Sequence, residues 1–302
     1  MAIGAYIKEI GRGKDGARAL TREQAADLMG QVLDGKANDL EIGAFCLAMR
    51  IKGETALEMA GFLDAAEQRL ARLPAQPEQR VIVLPSYNGA RRLPALLPLL
   101  ALLLARQGFA VLVHGSAGES RRVFTSEIFA YLGVPARTQI DALQSGEVHF
   151  VPTQLLHPGL QSLLDVRRST QLRNPGHSMV KLLLPCQGKT LLVTSYTHPE
   201  YALSMQQVLA LRGASALLLR GTEGEPVADQ RRRPDMTRML HGHALDTQRH
   251  EAGSLHDLPA IPQGLDAAAN ADYVRAMLDG SQALPEPIAH QLQSIAELAA
   301  QL

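Results

Sequence analysis

Apolar residues in the first 72 positions recur at the spacing expected of helices. The stretch before Gly53 carries a wide apolar stripe, formed by Leu40, Ile42, Phe45, Leu47, Ala48 and Ile51. Capping-box patterns at Thr21–Gln24 and Thr55–Glu58 mark the starts of two helices. Because short helices need partners to bury their apolar faces, we predict a domain of four short helices over residues 1–72.

After a linker at residues 74–79, the apolar pattern changes to short runs that alternate with helical segments. The runs predict strands at Val81–Leu84, Ala110–Val113, Val148–Val151, Leu191–Thr194 and Ala216–Leu219. We therefore expect an α/β fold with a small N-terminal helical bundle and a larger domain, residues 78–302, whose mostly parallel sheet is flanked by helices. Helices from about 153–175 are expected to join the helical domain, and two amphipathic helices follow Asp266.

Composition narrows the class of protein. The 30 Lys and Arg residues balance 30 Asp and Glu residues, so any attraction to a polyanion must come from local clusters. Cys46 and Cys186 lie in apolar surroundings, which is typical of buried thiols in a reducing, cytoplasmic setting. The N-terminus lacks the pattern of a secretory signal, and the apolar run Ala95–Ala105 is too short to span a bilayer, so we expect a buried helix there and no membrane partner.

The segment "LPSYNGARR", Leu84–Arg92, lies between a predicted strand and a predicted helix. Loops in this position of α/β proteins often hold a phosphate group. This loop contains Asn88, Gly89, Arg91 and Arg92, but it lacks the several glycines that let backbone amides wrap an anion closely.

Further motifs agree with this placement. The second predicted strand ends in His114–Gly115, and the later segments "VRRSTQLR", "SYTHPEY" and "LLLRGTEGE" follow in order. Together they resemble anthranilate phosphoribosyltransferase and its relatives, which have the nucleoside phosphorylase type of fold. The resemblance implies that the loop after the first strand faces the pyrophosphate of a phosphoribosyl donor, and that Arg173 meets an acceptor carboxylate.

The departures from that family are concentrated in its site motifs. The family's "GTGGD" is replaced by "PSYNGARR", and Glu223 and Glu225 stand at alternating positions where the family has an adjacent acidic pair for magnesium. The standard anthranilate reaction is therefore not expected. The segments "PSYNGARR", "RNPGHSMVKLLLP" and "RGTEGEPVADQRRRP" resemble the YbiB-type branch of this superfamily, and this implies a dimeric nucleic-acid-binding protein.

Arginine clusters agree with that implication. They are accompanied by two planar side chains that can stack on bases, Tyr87 and His114. The candidate phosphate-binding set is Tyr87, Asn88, Gly89, Arg91, Arg92, His114, Arg121, Arg122, Arg167, Arg168, Arg173, Arg231, Arg232 and Arg233. Any single pair can instead be a solvated helix end or the partner of a nearby acid such as Asp165 or Asp235.

The leading hypothesis is a homodimer, formed through the helical domain, that binds DNA or RNA without sequence specificity and needs no cofactor. The alternative is a transferase that uses phosphoribosyl pyrophosphate with a changed acceptor. In that case Arg173 and His177 lie at the acceptor, and Glu223 and Glu225 hold Mg²⁺. A third hypothesis is a regulator that binds a small anion.

Two histidine motifs are ambiguous from the sequence. His177 can act as a general base or a phosphate donor, but a packed structural histidine is the simpler interpretation. His241 and His243 would share a face on a strand, yet no third ligand follows, so a metal site is not expected.

Overall fold

The computed structural model describes residues 2–13, 15–116, 122–250, 253–256, 260–262 and 264–302. They form two compact units. One contains Met1–Ala71 and Thr153–Pro185, and the other contains Arg72–Pro152 and Cys186–Leu302.

The helices are numbered in chain order. They are α1 (Ile3–Ile10), α2 (Arg22–Leu33), α3 (Asp39–Lys52), α4 (Ala56–Glu67), α5 (Leu97–Arg106), α6 (Thr125–Tyr131), α7 (Thr153–Leu156), α8 (Pro158–Thr170), α9 (Gly176–Met179), α10 (Glu200–Leu211), α11 (Ala267–Leu278) and α12 (Glu286–Ala299). The strands are β1 (Arg80–Ser86), β2 (Ala110–Gly115), β3 (Val148–Pro152), β4 (Lys189–Tyr196), β5 (Ala216–Arg220), β6 (Met236–Leu240) and β7 (His243–Gln248).

Side-chain caps define three helix starts in the helical unit. Both predicted capping boxes are present, at the starts of α2 and α4, and a third joins Asn38 and Glu41 at the start of α3. The core of this unit includes an edge-to-face pair of Phe45 and Phe62, whose ring centroids are 6.0 Å apart. Together α1 to α4 confirm the predicted set of short helices.

The apolar stripe predicted along α3 is divided between two faces. Phe45, Cys46 and Met49 are buried. Leu40 and Ile51, which were assigned to the same stripe, are 83% and 61% exposed within the chain. The stripe is wider than the face that α3 turns to its own unit, so its outer part faces away from that core.

The sheet in the described part of the chain has seven strands in the order β3-β2-β1-β4-β5-β6-β7. The first five in that order are parallel, and they coincide with the five predicted strands. The prediction of a mostly parallel sheet flanked by helices is therefore confirmed. The strand order reverses between β1 and β4, and in open α/β sheets such a reversal opens a crevice at the carboxyl ends of the strands.

The antiparallel strands β6 and β7 were missed by the sequence prediction. β7 is exposed along nearly its whole length, so it carries no apolar alternation. His241 lies in the turn between the two strands with a φ of 48°, and only His243 is on a strand. The two histidines therefore do not share a strand face.

The core of the α/β unit is built on the sheet and α5. Leu99, Leu100 and Leu104 of α5 are fully buried beside side chains of β1 and β2. This confirms the predicted buried helix. In the described residues, every helix falls short of the length and apolar character that a bilayer crossing demands.

Candidate functional site

The carboxyl ends of β1, β4 and β5 lie side by side in the sheet. The loop that follows β1 begins at Tyr87, and the turn that follows β5 contains Glu223, Gly224 and Glu225. The hydroxyl of Ser195, near the end of β4, donates a hydrogen bond of 3.0 Å to the carbonyl of Gly224. All three strand ends therefore contribute to one polar cluster.

Glu225 is the centre of this cluster. Its Oε1 accepts hydrogen bonds from the backbone amides of Tyr87, Asn88 and Gly89, at 3.1, 2.6 and 3.0 Å. Its Oε2 accepts one from the hydroxyl of Ser86 at 2.5 Å. The residue is 4% exposed, so the buried carboxylate depends on these donors to replace its water shell.

Glu223 makes a second set of contacts with the same loop. Its Oε2 accepts hydrogen bonds from the amides of Arg91, Arg92 and Leu93 at 2.8, 3.1 and 3.3 Å. The backbone of Glu223 has a φ of 51°, a left-handed conformation that non-glycine residues adopt at a cost. The loop after β1 thus directs two successive groups of three amides, each onto one carboxylate oxygen.

Glycines permit this close approach. Gly89 has a φ of 63°, which turns the loop so that neighbouring amides converge. Gly224 has a φ of 92°, and a Cβ there would lie 1.8 Å from Nδ2 of Asn88. A Cβ on Gly221 would lie 2.0 Å from the carbonyl oxygen of Glu225. A side chain at position 224 would therefore push the two loops apart, and one at position 221 would clash within the turn itself.

The arrangement of the amides differs from what the sequence of this loop predicted. A single glycine was expected to be too few for an anion cradle, yet the amides of residues 87–89 and 91–93 do converge on anions. The anions are carboxylates of the same chain, brought from a turn far away in sequence. Only the transferase alternative assigned these carboxylates, to Mg²⁺, and the sequence gave no sign of their role as partners of the loop.

This arrangement does not fit a magnesium ion. Both oxygens of Glu225 and one oxygen of Glu223 already accept hydrogen bonds, and Mg²⁺ would require carboxylate oxygens as ligands. Across the described ranges, no group of three or more His, Cys, Asp and Glu side chains is placed to hold a metal ion.

A small cavity lies beside the two loops. It is lined in part by Gly89, Thr125, Glu223 and Glu225, and its volume of about 10 Å³ is room for roughly one water molecule. The hydroxyl of Thr222, which also lines it, is buried and makes no hydrogen bond within the described part of the chain. With the turn that carries Glu223 and Glu225 in this position, the cavity is too small for a phosphate group.

Tyr87 and His114 form a polar pair next to the loop. The tyrosine hydroxyl lies 2.8 Å from Nδ1 of His114, and the two rings meet edge to face with centroids 5.5 Å apart. His114 is fully buried, and burial lowers its pKa to about 3. The imidazole is therefore neutral near pH 7, and its Nε2 has no hydrogen-bond partner among the residues that the structure describes.

The arginines of the α/β unit fall into two groups. Arg91 and Arg92 are exposed, and the ion pairs of the described residues do not include their guanidinium groups. Arg122 donates a hydrogen bond of 3.1 Å to the carbonyl of Gly89, which supports the loop. Arg121 lies outside the described residues.

The triplet Arg231–Arg233 is paired with acids of its own unit. Arg231 binds both oxygens of Asp229 at 2.9 and 2.8 Å, and Arg232 lies 3.2 Å from the same carboxylate. Arg233 pairs with Glu286 at 2.7 Å. These three arginines are therefore partners of nearby acids, as the alternative interpretation proposed. The acids are Asp229 and Glu286 and not Asp235.

The remaining candidates belong to the helical unit. Arg168 pairs with Asp165 at 3.2 Å on the exposed surface of α8. Arg167 is half-buried and Arg173 is exposed. His177 is half-buried with Nδ1 3.2 Å from Oδ1 of Asn174, and burial, followed by the charges of Arg173 and Arg167, lowers its pKa to about 4. These contacts agree with a packed, neutral histidine.

Comparison with known proteins shows to which class of protein this chain is similar. Residues 5–69 match the model of the glycosyl transferase family, helical bundle domain. The anthranilate phosphoribosyltransferase of Thermus thermophilus has the same fold, with a TM-score of 0.73 at 19% identity over 99% of this chain and 89% of that chain. The enzyme of Saccharomyces cerevisiae, solved in complex with PRPP and Mg, gives a TM-score of 0.74 at 14% identity over the same shares. The fold is thus that of the anthranilate phosphoribosyltransferases.

Sequence relatives narrow this class. The uncharacterized protein YbiB of Escherichia coli (strain K12) is 37% identical over 297 residues, which are 95% of this chain and 91% of that protein. The anthranilate phosphoribosyltransferase of Leifsonia xyli is 28% identical over 87% of this chain and 76% of that enzyme. The chain belongs to the YbiB family, within the anthranilate phosphoribosyltransferase-like proteins.

Proposed function

We propose that this protein is a transferase of the phosphoribosyl type, which binds the phosphates of its donor at the loop after β1 and uses an acceptor other than anthranilate. The observation that carries the proposal is the convergence of six backbone amides, in two groups of three, at the carboxyl end of β1. Amides arranged in this way stabilise anionic oxygens. Their position beside the strand-order reversal is the place where α/β folds bind phosphorylated ligands.

The comparisons support the class of donor. The Saccharomyces cerevisiae enzyme of the same fold was solved with PRPP and Mg. The changed loop, and the spacing of Glu223 and Glu225, support an acceptor and a metal arrangement different from those of the anthranilate enzymes. Arg173 is the residue proposed to hold an acceptor carboxylate, as the resemblance implies.

Isothermal titration calorimetry with phosphoribosyl pyrophosphate, with and without Mg²⁺, tests the donor. We expect saturable binding to the full chain at up to millimolar donor. Release of pyrophosphate is then assayed with a panel of aromatic, heterocyclic and amine acceptors. Absence of binding both to the wild-type chain and to a Glu225→Gln variant, in which the carboxylate held by the loop is neutralised, would overturn the proposal.

A second candidate function is nucleic-acid binding, and Arg91 and Arg92 favour it. Their exposed guanidinium groups follow directly on an anion-binding loop, where they are placed to contact backbone phosphates. Fluorescence anisotropy with single- and double-stranded DNA and RNA over a range of salt concentrations tests this function. Binding that weakens steeply with salt would support it, and absence of binding at low salt would exclude it.

For either function we propose a homodimer formed through the helical unit. The outer face of α3 carries Leu40, Ala44, Leu47 and Ile51, which are all exposed in the single chain. An apolar face of this kind on a helix is typical of a subunit interface.

A further inference from the structure

We propose that the turn Gly221–Glu225, here called the acidic turn, is an internal competitor for the phosphate site: its two carboxylates occupy the amides that an external phosphate needs, so ligand binding requires the turn to leave the loop. This inference rests on the proposed function, because it concerns the phosphate site of the same loop.

The first support is the number of donors that the turn occupies. The amides of Tyr87, Asn88 and Gly89 all donate to one oxygen of Glu225. An amide hydrogen that points at a carboxylate oxygen is not available to a phosphate oxygen at the same time. The second group of amides is engaged by Glu223 in the same way. External and internal anions therefore compete for the same six donors.

The second support is the small volume that is available beside the loop. A phosphate group needs far more volume than the cavity of about 10 Å³ beside the loop. Since Gly224 already lies against the side chain of Asn88, a phosphate can reach the amides only when the turn moves away.

The third support is that the turn has features of an element that can be released. Glu223 is held at a φ of 51°, and such strain persists only while surrounding contacts enforce it. The enforcing contacts are hydrogen bonds to the loop and the bond from Ser195 to Gly224. Once the carboxylates are displaced, the turn loses the interactions that stabilise its strained backbone.

Two variants test the proposal by different physical routes. Glu225→Gln keeps the shape of the side chain but removes its charge, which weakens its hydrogen bonds to the amides. Gly224→Ala keeps both carboxylates but places a Cβ in contact with Asn88 and pushes the turn outward. Glu147→Gln is the matched control, because Glu147 is exposed next to the amino end of β3, away from the strand ends that form the loop.

The measurement is calorimetric titration with inorganic pyrophosphate, after circular dichroism and thermal unfolding have shown that each variant is folded. We expect both site variants to bind pyrophosphate with a Kd lower by about tenfold or more, and the control to bind like the wild type. Equal affinity in the wild type and Glu225→Gln, or weaker binding by Glu225→Gln, would overturn the internal competitor but leave the phosphate site intact. Absence of binding to all proteins would overturn the phosphate site itself.

Hydrogen exchange on the wild-type chain gives an independent test without mutation. In the ligand-free protein the amide of Glu225 donates to the carbonyl of Thr222 within the turn, and the amide of Thr222 donates to the carbonyl of Val227 just after it. Saturating pyrophosphate should increase their exchange rates while it protects the amides of residues 87–89. Unchanged or slower exchange in the turn on binding would contradict the proposal.

Discussion

The backbone amide of Asn88 donates a hydrogen bond of 2.6 Å to the carboxylate of Glu225, although 137 positions separate the two residues in the chain. The contact joins the loop after β1 to the turn after β5 across the end of β4. It shows that the loop is an anion-binding structure even though it contains one glycine. The anion that it holds belongs to the protein, and this relationship is the basis of the proposals for ligand binding.

Exposed and ion-paired arginines should contribute differently to the binding of a polyanion. We expect the double variant Arg91→Ala/Arg92→Ala to weaken nucleic-acid binding and to reduce the slope of log Kd against log salt by about two, because each phosphate contact contributes about 0.9. Arg233→Ala is the control, since its guanidinium is already paired with Glu286. The measurement is fluorescence anisotropy in a salt series. An unchanged slope in the double variant would exclude these arginines as phosphate contacts.

The outer face of α3 should control the oligomeric state. We expect Leu47→Asp/Ile51→Asp to convert a dimer into a monomer in size-exclusion chromatography with light scattering, because the change places charges in an apolar interface. Leu203→Asp is the control, since Leu203 is an exposed apolar residue of α10 in the other unit. A dimer that survives the double change at micromolar concentration would place the interface elsewhere.

The stability of the α/β unit should depend on pH through His114. Its pKa is about 3 in the folded chain and 6.5 in the reference state, so protonation favours the unfolded chain. The stabilising contribution of the neutral imidazole is complete above pH 6.5 and is lost progressively as the pH falls toward 3. Each pH unit in this window corresponds to about 1.4 kcal/mol, so the loss from His114 at pH 5 is about 2 kcal/mol.

Chemical denaturation at pH 7 and pH 5 measures this effect. His114→Asn keeps an acceptor near the tyrosine hydroxyl of Tyr87 but removes the titrating group. The other histidines contribute equally to the pH dependence of the wild type and of the variant. The difference between the two proteins is therefore the contribution of His114. If the variant loses as much stability between pH 7 and pH 5 as the wild type, the imidazole is not kept neutral by burial.

Glu58 should be essential to the stability of the helical unit. It is fully buried and accepts hydrogen bonds from the amide of Leu20 at 2.9 Å, from Nζ of Lys52 at 2.6 Å and from Thr55 at 2.9 Å. Glu58→Ala leaves the nearly buried ammonium of Lys52 without its partner. We expect the free energy of unfolding of this unit to fall by about 3–5 kcal/mol.

The matched control for Glu58 is Glu41, which holds the equivalent capping-box position of α3 but is less buried. Glu41→Ala should cost about 1 kcal/mol or less. Adding Lys52→Met to Glu58→Ala should recover part of the loss, because it removes the unpaired charge. Similar losses for Glu41→Ala and Glu58→Ala in denaturant titrations would show that the buried ion pair adds little beyond the helix cap.

The local elements could be predicted from the sequence. The capping boxes at Thr21 and Thr55, the buried helix α5 and five parallel strands all depend on spacing within short stretches, which the chain pattern displays directly. The buried state of Cys46 and Cys186 followed from their apolar neighbours in sequence. The position of the loop after β1 was also predictable, because a strand followed by a helix places the intervening loop at the carboxyl end of the sheet.

Tertiary structure decided which groups those elements bring together. The sequence placed Glu223 and Glu225 in a turn, but only the order of β1, β4 and β5 in the sheet shows that the turn reaches the loop. The pairing of Arg231 with Asp229 depends on side-chain geometry in the folded chain, which residue type and spacing leave open. Hydrophobic and polar periodicity is a local property of the chain, whereas the partner of a buried polar group is set by packing between distant segments. For this reason the sequence determined the scaffold of the protein, and the folded structure determined which anion its loop binds.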